Sequence, residues 1–162
     1  MQEKIIVCDN EKCTGCRICE YVCAAVHEEK LNPRLSRIRT VRIDPVFDLA
    51  MSCRKCDNPK CLDACARNAI SQDPETKLIS IDKEKCDGCG YCVDQCRFGV
   101  LSIGIDDKVA IVCDTCREKN DGKPACVDYC PKEALEYVAI SGIDDEKVKK
   151  FHHKVQENID KK

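Results

Sequence analysis

Apolar positions along this chain come in short bursts rather than long stripes. Residues 4–7 (KIIV) predict a first strand, residues 17–29 (RICEYVCAAVHEE) a helix, and residues 37–43 (RIRTVRI) another strand. The segment 69–81 (AISQDPETKLISI) reads as strand, turn and strand, with Asp73-Pro74 as the turn. Residues 100–112 (VLSIGIDDKVAIV) read the same way and turn at Asp106-Asp107, and residues 134–138 predict a last short strand. Val148, Phe151, Val155 and Ile159 fall at helical spacing, with Asp144, Asp145 and Glu146 at the start and lysines towards the end. That pattern predicts an amphipathic helix over 144–161 with favourable dipole charges. Its stripe can pack on this chain's own surface or dock a partner, and the sequence does not separate the two.

Between these elements lie four cysteine quartets. Cys13-Cys16-Cys19-Cys23 reads C-x2-C-x2-C-x3-C, and Cys86-Cys89-Cys92-Cys96 repeats the spacing. Cys53-Cys56-Cys61-Cys65 has two extra residues before the third thiol, and Cys113-Cys116-Cys126-Cys130 has a nine-residue gap there. Sixteen thiols in four quartets are the ligand count for four cubane [4Fe–4S] clusters. Each iron takes one thiolate, and a C-x2-C-x2-C loop can curl around one cluster and aim backbone N–H groups at its sulfur. Gly15, Gly88 and Gly90 sit inside the first and third loops, where close approach helps. In two-cluster ferredoxins the cysteine after x3 ligates the other cluster, so the quartets are expected in interlocked pairs. Zinc is the rival ligand. The fourth quartet alone resembles a zinc knuckle, but the first and third are too evenly spaced for one.

Composition changes the picture in three ways. Cysteine makes up 17 of 162 residues, which signals a disulfide scaffold or a metal protein. The odd count, the dense runs and an N-terminus without a signal-peptide stretch or twin arginine favour metal and a cytoplasmic location. The net charge of −2, without a broad basic face, gives no indication of nucleic-acid binding. No apolar run approaches the roughly 18–20 residues of a membrane helix, so direct membrane insertion is not expected. Aromatic residues are few and Trp is absent, so the clusters are expected to supply much of the interior. The length suits one domain or two small fused ones.

On these motifs, segment 4–138 resembles the four-cluster, ferredoxin-like electron-transfer subunits of molybdenum and tungsten oxidoreductases, the DMSO reductase iron–sulfur subunit type. The resemblance implies an α+β fold of two ferredoxin-like units with pseudo-two-fold symmetry. Residues 1–48 with 104–140 would form one unit, residues 49–103 the other, and 141–162 a C-terminal helical extension. It also implies the ligand sets. One cluster takes Cys13, Cys16, Cys19 and Cys130, and its mate takes Cys113, Cys116, Cys126 and Cys23. The other unit uses Cys53, Cys56, Cys61 and Cys96, then Cys86, Cys89, Cys92 and Cys65. Spacing alone also permits sequential pairing, first quartet with second and third with fourth. The family often has Pro after the last cysteine of a quartet. Here only Pro131 fits, with Ala24, Ala66 and Arg97 in the other places. A cation such as Arg97 beside a cluster is expected to raise its potential.

The stretch HEEKLNPRLSRIRTVRI is similar to the corresponding part of small subunits that accompany tungsten aldehyde oxidoreductases. That similarity implies a large tungsten or molybdenum catalytic subunit as partner, with a ferredoxin, a flavin or nicotinamide subunit, or a hydrogenase at the other end. The alternatives are a carbon monoxide dehydrogenase or formate dehydrogenase–hydrogenase partner, a free polyferredoxin, or an iron–sulfur sensor. Four oxygen-sensitive clusters suggest an anaerobic setting. No nucleophile–base set, phosphate loop or dinucleotide fingerprint is visible, so the chain is expected to be a non-catalytic subunit. His27, His152 and His153 have no evident partner set and are expected at the surface or facing a partner. Cys8, the seventeenth thiol, is expected to be a buried structural residue. Arg34, Arg37, Arg39, Arg42, Arg54 and Lys55 form the one local basic cluster, read as a solvated face or as a steering surface for an acidic redox partner.

Overall fold

Sheet pairing ties the two ends of the described chain together. The computed structural model describes residues 4–43 and 47–139. Strand β1 (Lys4–Cys8) runs antiparallel to β8 (Leu135–Ala139), with Ile6 opposite Tyr137 and Cys8 opposite Leu135. Between them come helix α1 (Ile18–Glu28), strands β2 (Arg39–Ile43) and β3 (Phe47–Met51), and helix α2 (Lys60–Asp63). Strands β4 (Ile70–Gln72) and β5 (Ile79–Ile81), helix α3 (Tyr91–Asp94), strands β6 (Ser102–Ile103) and β7 (Ala110–Ile111), and helix α4 (Ala125–Asp128) follow. The fold is α+β, with four separate two-stranded antiparallel sheets among the described residues.

Local chemistry explains most boundaries. Helix α1 ends where Glu29 takes a left-handed conformation (φ 54°) and returns its N–H to the Ala25 carbonyl, a standard helix stop. In the β4–β5 turn the Asp73 carboxylate accepts the N–H groups of Glu75 (3.0 Å) and Thr76 (2.7 Å). In the β6–β7 turn Asp107 accepts Val109 N–H at 3.2 Å. Both hairpins fall where the sequence predicts them. Strand β3 was not foreseen. It exists because β2 supplies a partner, with Thr40 opposite Ala50 and Val41 opposite Leu49.

Two apolar clusters form the interior. In the first, Ile6, Ile38, Ala50 and Leu135 surround Cys19, Cys23, Cys113 and Cys126. In the second, Ile70, Ile79, Val100, Leu101, Ala110 and Val112 surround Cys61 and Cys92. Cys53 packs against both. Thiols therefore occupy positions that an ordinary small domain gives to large aliphatic side chains. The helix expected over 144–161 lies outside the described residues. No helix among the described residues is long and apolar enough to cross a membrane.

Candidate iron–sulfur sites

Each quartet places its third cysteine on a helix: Cys19 on α1, Cys61 on α2, Cys92 on α3 and Cys126 on α4. Except for Cys23 on α1, the fourth cysteine follows just past the helix. The turn of helix carries that sulfur away from its own loop, and the structure shows where it goes. A small cavity is lined by Cys13, Cys16, Cys19 and Cys130, with Ala50 and Leu135 among its walls. A second is lined by Cys65, Cys86, Cys89 and Cys92, with Ile70 and Ala110. In both, one loop gives three thiols and a distant quartet gives the fourth.

The other eight thiols group the same way. Burial pushes the Cys61 thiol up to about 11, and the thiols of Cys53, Cys96 and Cys56 beside it add to the shift. Burial also raises Cys126, reinforced by Cys113, Cys23 and Cys116. Buried thiols resist ionisation because a low-polarity interior disfavours the thiolate. Iron binding must therefore displace protons, which couples cluster assembly to pH and folding. Cys113, raised by burial, also has Cys53 as a neighbour, so the two inner groups adjoin.

Backbone donors already point at sulfur. Cys23 Sγ accepts Arg37 N–H at 3.3 Å, and Cys86 Sγ accepts Ala110 N–H at 3.4 Å. Cys65 and Cys130 each accept the N–H four residues on, from Ala69 and Ala134, at 3.3 Å. Such N–H···S contacts favour a charged sulfur and tune the potential of a bound cluster. Cys16 and Cys89 are the two exposed thiols of the seventeen. Thiol-rich, apolar-walled and furnished with donors, the four groups suit iron–sulfur cubes.

Three sequence expectations need correction. His27 is not at the surface: its side chain is 2% exposed. Nδ1 lies 2.9 Å from the Cys23 carbonyl oxygen and Nε2 3.1 Å from Asp114 Oδ1. Asp114 also accepts Arg37 Nη1 at 2.5 Å and Cys116 N–H at 3.0 Å. Burial opposes a charge on His27, but Asp114, Cys116 and Cys23 outweigh it and raise the imidazole to about 12. Ligand atoms of His27, Asp114 and Cys116 lie within 4.8 Å of one another. His27 and Asp114 are spent on each other and on Arg37, so the trio reads as a hydrogen-bonded clamp rather than a separate metal site. His152 and His153 lie outside the described residues.

The basic cluster is a solvated face only in part, at the exposed Arg34 and Arg42. Arg37 pairs with Glu28 and Asp114, Arg42 pairs with Asp48, and Arg39 donates to Pro33 O and Ser102 Oγ. Arg54 donates to Ile6 O, and buried Lys55 donates to Lys4 O at 2.6 Å. The hydrogen bonds from Arg54 and Lys55 run to β1, more than forty residues upstream, so no local pattern could reveal them. Cys8 is half-buried rather than buried. It ends β1, packs on the first apolar cluster and accepts Ala50 N–H at 3.3 Å.

These features define an iron–sulfur protein of the ferredoxin-like, electron-transport class. Residues 46–140 match the 4Fe-4S dicluster domain, and the chain belongs to that family. The matched segment holds the second, third and fourth quartets. The polyferredoxin-like subunit of an aliphatic sulfonate oxidoreductase from Pyrococcus furiosus is 37% identical over 131 residues, covering 80% of this chain and 73% of the relative. A putative electron transport protein of Escherichia coli, YsaA, is 35% identical over 149 residues, covering 86% of this chain and 92% of its own. A chain of the active site complex BamBC of benzoyl coenzyme A reductase, as isolated, shares the fold, with a TM-score of 0.50 and 24% identity over 85% of this chain and 78% of that one.

Proposed function

We propose that this chain is a wire of four [4Fe–4S] clusters relaying single electrons in the cytoplasm between a large catalytic oxidoreductase subunit and a second carrier. The ligand sets are Cys13, Cys16, Cys19 and Cys130; Cys113, Cys116, Cys126 and Cys23; Cys53, Cys56, Cys61 and Cys96; and Cys86, Cys89, Cys92 and Cys65. The observation that carries this reading is the exchange of fourth cysteines between quartets, one with four and two with three, around the two cavities. It favours interlocked pairing over sequential pairing. Two ferredoxin-like units follow, residues 1–48 with 104–140 and residues 49–103, related by a pseudo-two-fold axis.

The packing of Cys53 against the apolar cluster that holds Cys113 supports a side-by-side arrangement of the two inner clusters. The exposed thiols Cys16 and Cys89 belong to the outer two, which makes those the entry and exit points. When bound, the clusters supply reversible one-electron chemistry. The polypeptide's part is to hold them close, exclude water and set their order of potential through N–H···S contacts and local charge. For the catalytic partner we favour a tungsten enzyme of the aldehyde oxidoreductase kind. The relation to a subunit of a sulfonate oxidoreductase supports an oxidoreductase complex. The second carrier would be a ferredoxin, a flavin subunit or a hydrogenase.

Anaerobic isolation from native extract tests the reading. The expected result is about sixteen irons and sixteen labile sulfides per chain, with a large tungsten protein co-purifying. Zinc in place of iron overturns the wire. Iron with a nickel or molybdenum partner overturns only the tungsten assignment, and isolation of the chain alone points to a free carrier or a sensor.

A further inference from the structure

Charge around the four thiol groups is uneven. Near Cys23, Cys113, Cys116 and Cys126, the cations His27 and Arg37 share Asp114, and Arg37 also has Glu28. Beside Cys13, Cys16 and Cys19, Arg17 is paired with Glu20. Beside Cys65 and Cys86, Arg67 is paired with Asp87. Three cations act on the group of Cys53, Cys56, Cys61 and Cys96. Lys55 acts on Cys53, Arg97 acts on Cys56, and Arg54 faces both of those thiols as well as Cys8.

Arg54 is unusual among these cations. Its Nη1 reaches only a backbone carbonyl, Ile6 O, at 3.4 Å. Its Nε is buried without a hydrogen-bond partner. Among the described residues no carboxylate lies within ion-pair distance of it. A guanidinium cannot shed its proton to escape such a site. A charge drawn partly out of water without a counter-charge is costly, so the arrangement calls for an anion nearby. A cubane with four thiolates is anionic, and becomes more so when it takes an electron.

Resting on the four-cluster reading, we propose that the half-buried Arg54 and the buried Lys55 make the cluster of Cys53, Cys56, Cys61 and Cys96 the highest-potential site of the four. It is then where the first electron comes to rest. The step is one electron added to the cluster, with no bond made or broken and no proton taken up. The two cations offset the added negative charge in a medium that screens it poorly. Arg97 contributes less because it is exposed. Arg54 and Lys55 touch no substrate and act on the cluster through the field they place on it.

The test is a potentiometric titration of the full, anaerobically reconstituted chain, followed by electron paramagnetic resonance, with iron and sulfide measured for every variant. Arg54→Gln should lower the highest-potential step by at least tenfold in its reduction equilibrium, about 59 mV for one electron. The other three steps should hardly move, and Arg54→Lys should recover most of the loss. If Arg54→Gln fails to hold its iron, Lys55→Gln is judged by the same criterion. An unmoved highest step in fully loaded Arg54→Gln, or in loaded Lys55→Gln where that variant stands in, overturns the inference. So do equal shifts in the Gln and Lys variants of Arg54, which would indicate packing rather than charge. Fewer than four clusters in the unmodified chain would instead overturn the reading beneath it.

Discussion

His27 and Asp114, 87 positions apart, clamp the first cysteine segment to the fourth through an Nε2–Oδ1 contact of 3.1 Å. His27 stands on α1 four residues after Cys23, and Asp114 lies between Cys113 and Cys116. The contact therefore fixes two segments whose thiols, Cys23 with Cys113 and Cys116, lie together around Cys126. His27→Ala leaves Asp114 with Arg37 and the Cys116 N–H, and an unfilled space behind Cys23. The expected loss is about 1–3 kcal/mol, the usual cost of stranding a buried polar group. It should appear as faster bleaching of the visible cluster absorbance in denaturant under anaerobic conditions, partly restored in His27→Gln.

The same clamp has a pH signature. The imidazole is raised from 6.5 to about 12 in the fold, so its contribution is full below about pH 6.5 and declines as pH rises towards 12. Burial alone would raise Asp114, but His27 and Arg37 prevail and bring it from 3.8 down to about 2. Its contribution is full above pH 3.8 and is lost as pH falls through about 2. The stability difference between the unmodified chain and His27→Gln should therefore shrink as pH rises from 6.5 to 9, measured by denaturant midpoint. A difference that grows over that range would contradict the assignment.

Glu20 makes a second long-range tie. It is 2% exposed, accepts two bonds from Arg17 at 2.7 and 2.9 Å, and takes Thr40 N–H at 2.6 Å. One carboxylate thus joins α1 to β2 beside Cys19. Glu20→Ala strands the Thr40 donor and should cost about 1–3 kcal/mol. Glu20→Gln keeps an acceptor for Thr40 and should cost less. Denaturant midpoints of the two variants give the comparison.

Ligation and packing separate at Cys8. Its thiol is pushed up to about 12, first by burial and further by Cys13 and Cys19, and its Sγ accepts Ala50 N–H. Lying outside the four groups, it should be dispensable for iron. Cys8→Ala is expected to retain full iron and sulfide after reconstitution and to lose about 1 kcal/mol from the missing acceptor. Cys130→Ala should lose iron from the first cavity. Equal iron in both variants would remove Cys130 from the ligand set.

Much of this was legible in the sequence, and the remainder shows why some was not. Cysteine spacing identifies the chemistry because cubane ligation imposes it locally, through loops and single helical turns. The two hairpins were visible through Asp73 and Asp107, whose side chains act on the next few residues. Strand β3 and the surroundings of His27, Arg54 and Lys55 were not, because each depends on a partner far away in sequence. A run of arginines looks the same whether solvent or Ile6 O receives its protons. The cysteine spacing also left two pairings of the quartets open, and the β1–β8 pairing that joins the two ends of the described chain is too distant in sequence to have been read from it.

The two glycines of the third loop should behave differently when a methyl group is added. A Cβ on Gly88, at φ +70°, would lie 2.0 Å from the Lys108 carbonyl oxygen, a backbone atom that cannot rotate away. Lys108 sits in the β6–β7 turn, two residues before the Ala110 N–H that bonds Cys86 Sγ. Moving the turn would pull this donor off the sulfur and open the cavity lined by Cys86, Cys89 and Cys92. Gly90, at φ +85°, has open space around its missing Cβ, so Ala there incurs only backbone strain of about 1–2 kcal/mol. Gly88→Ala should therefore lose about a quarter of the reconstituted iron, one cluster in four. Gly90→Ala should keep all of it and unfold slightly earlier. Iron and sulfide assays on the two variants decide the matter, and matching iron contents would mean that the close approach of Lys108 to the loop does not govern the site.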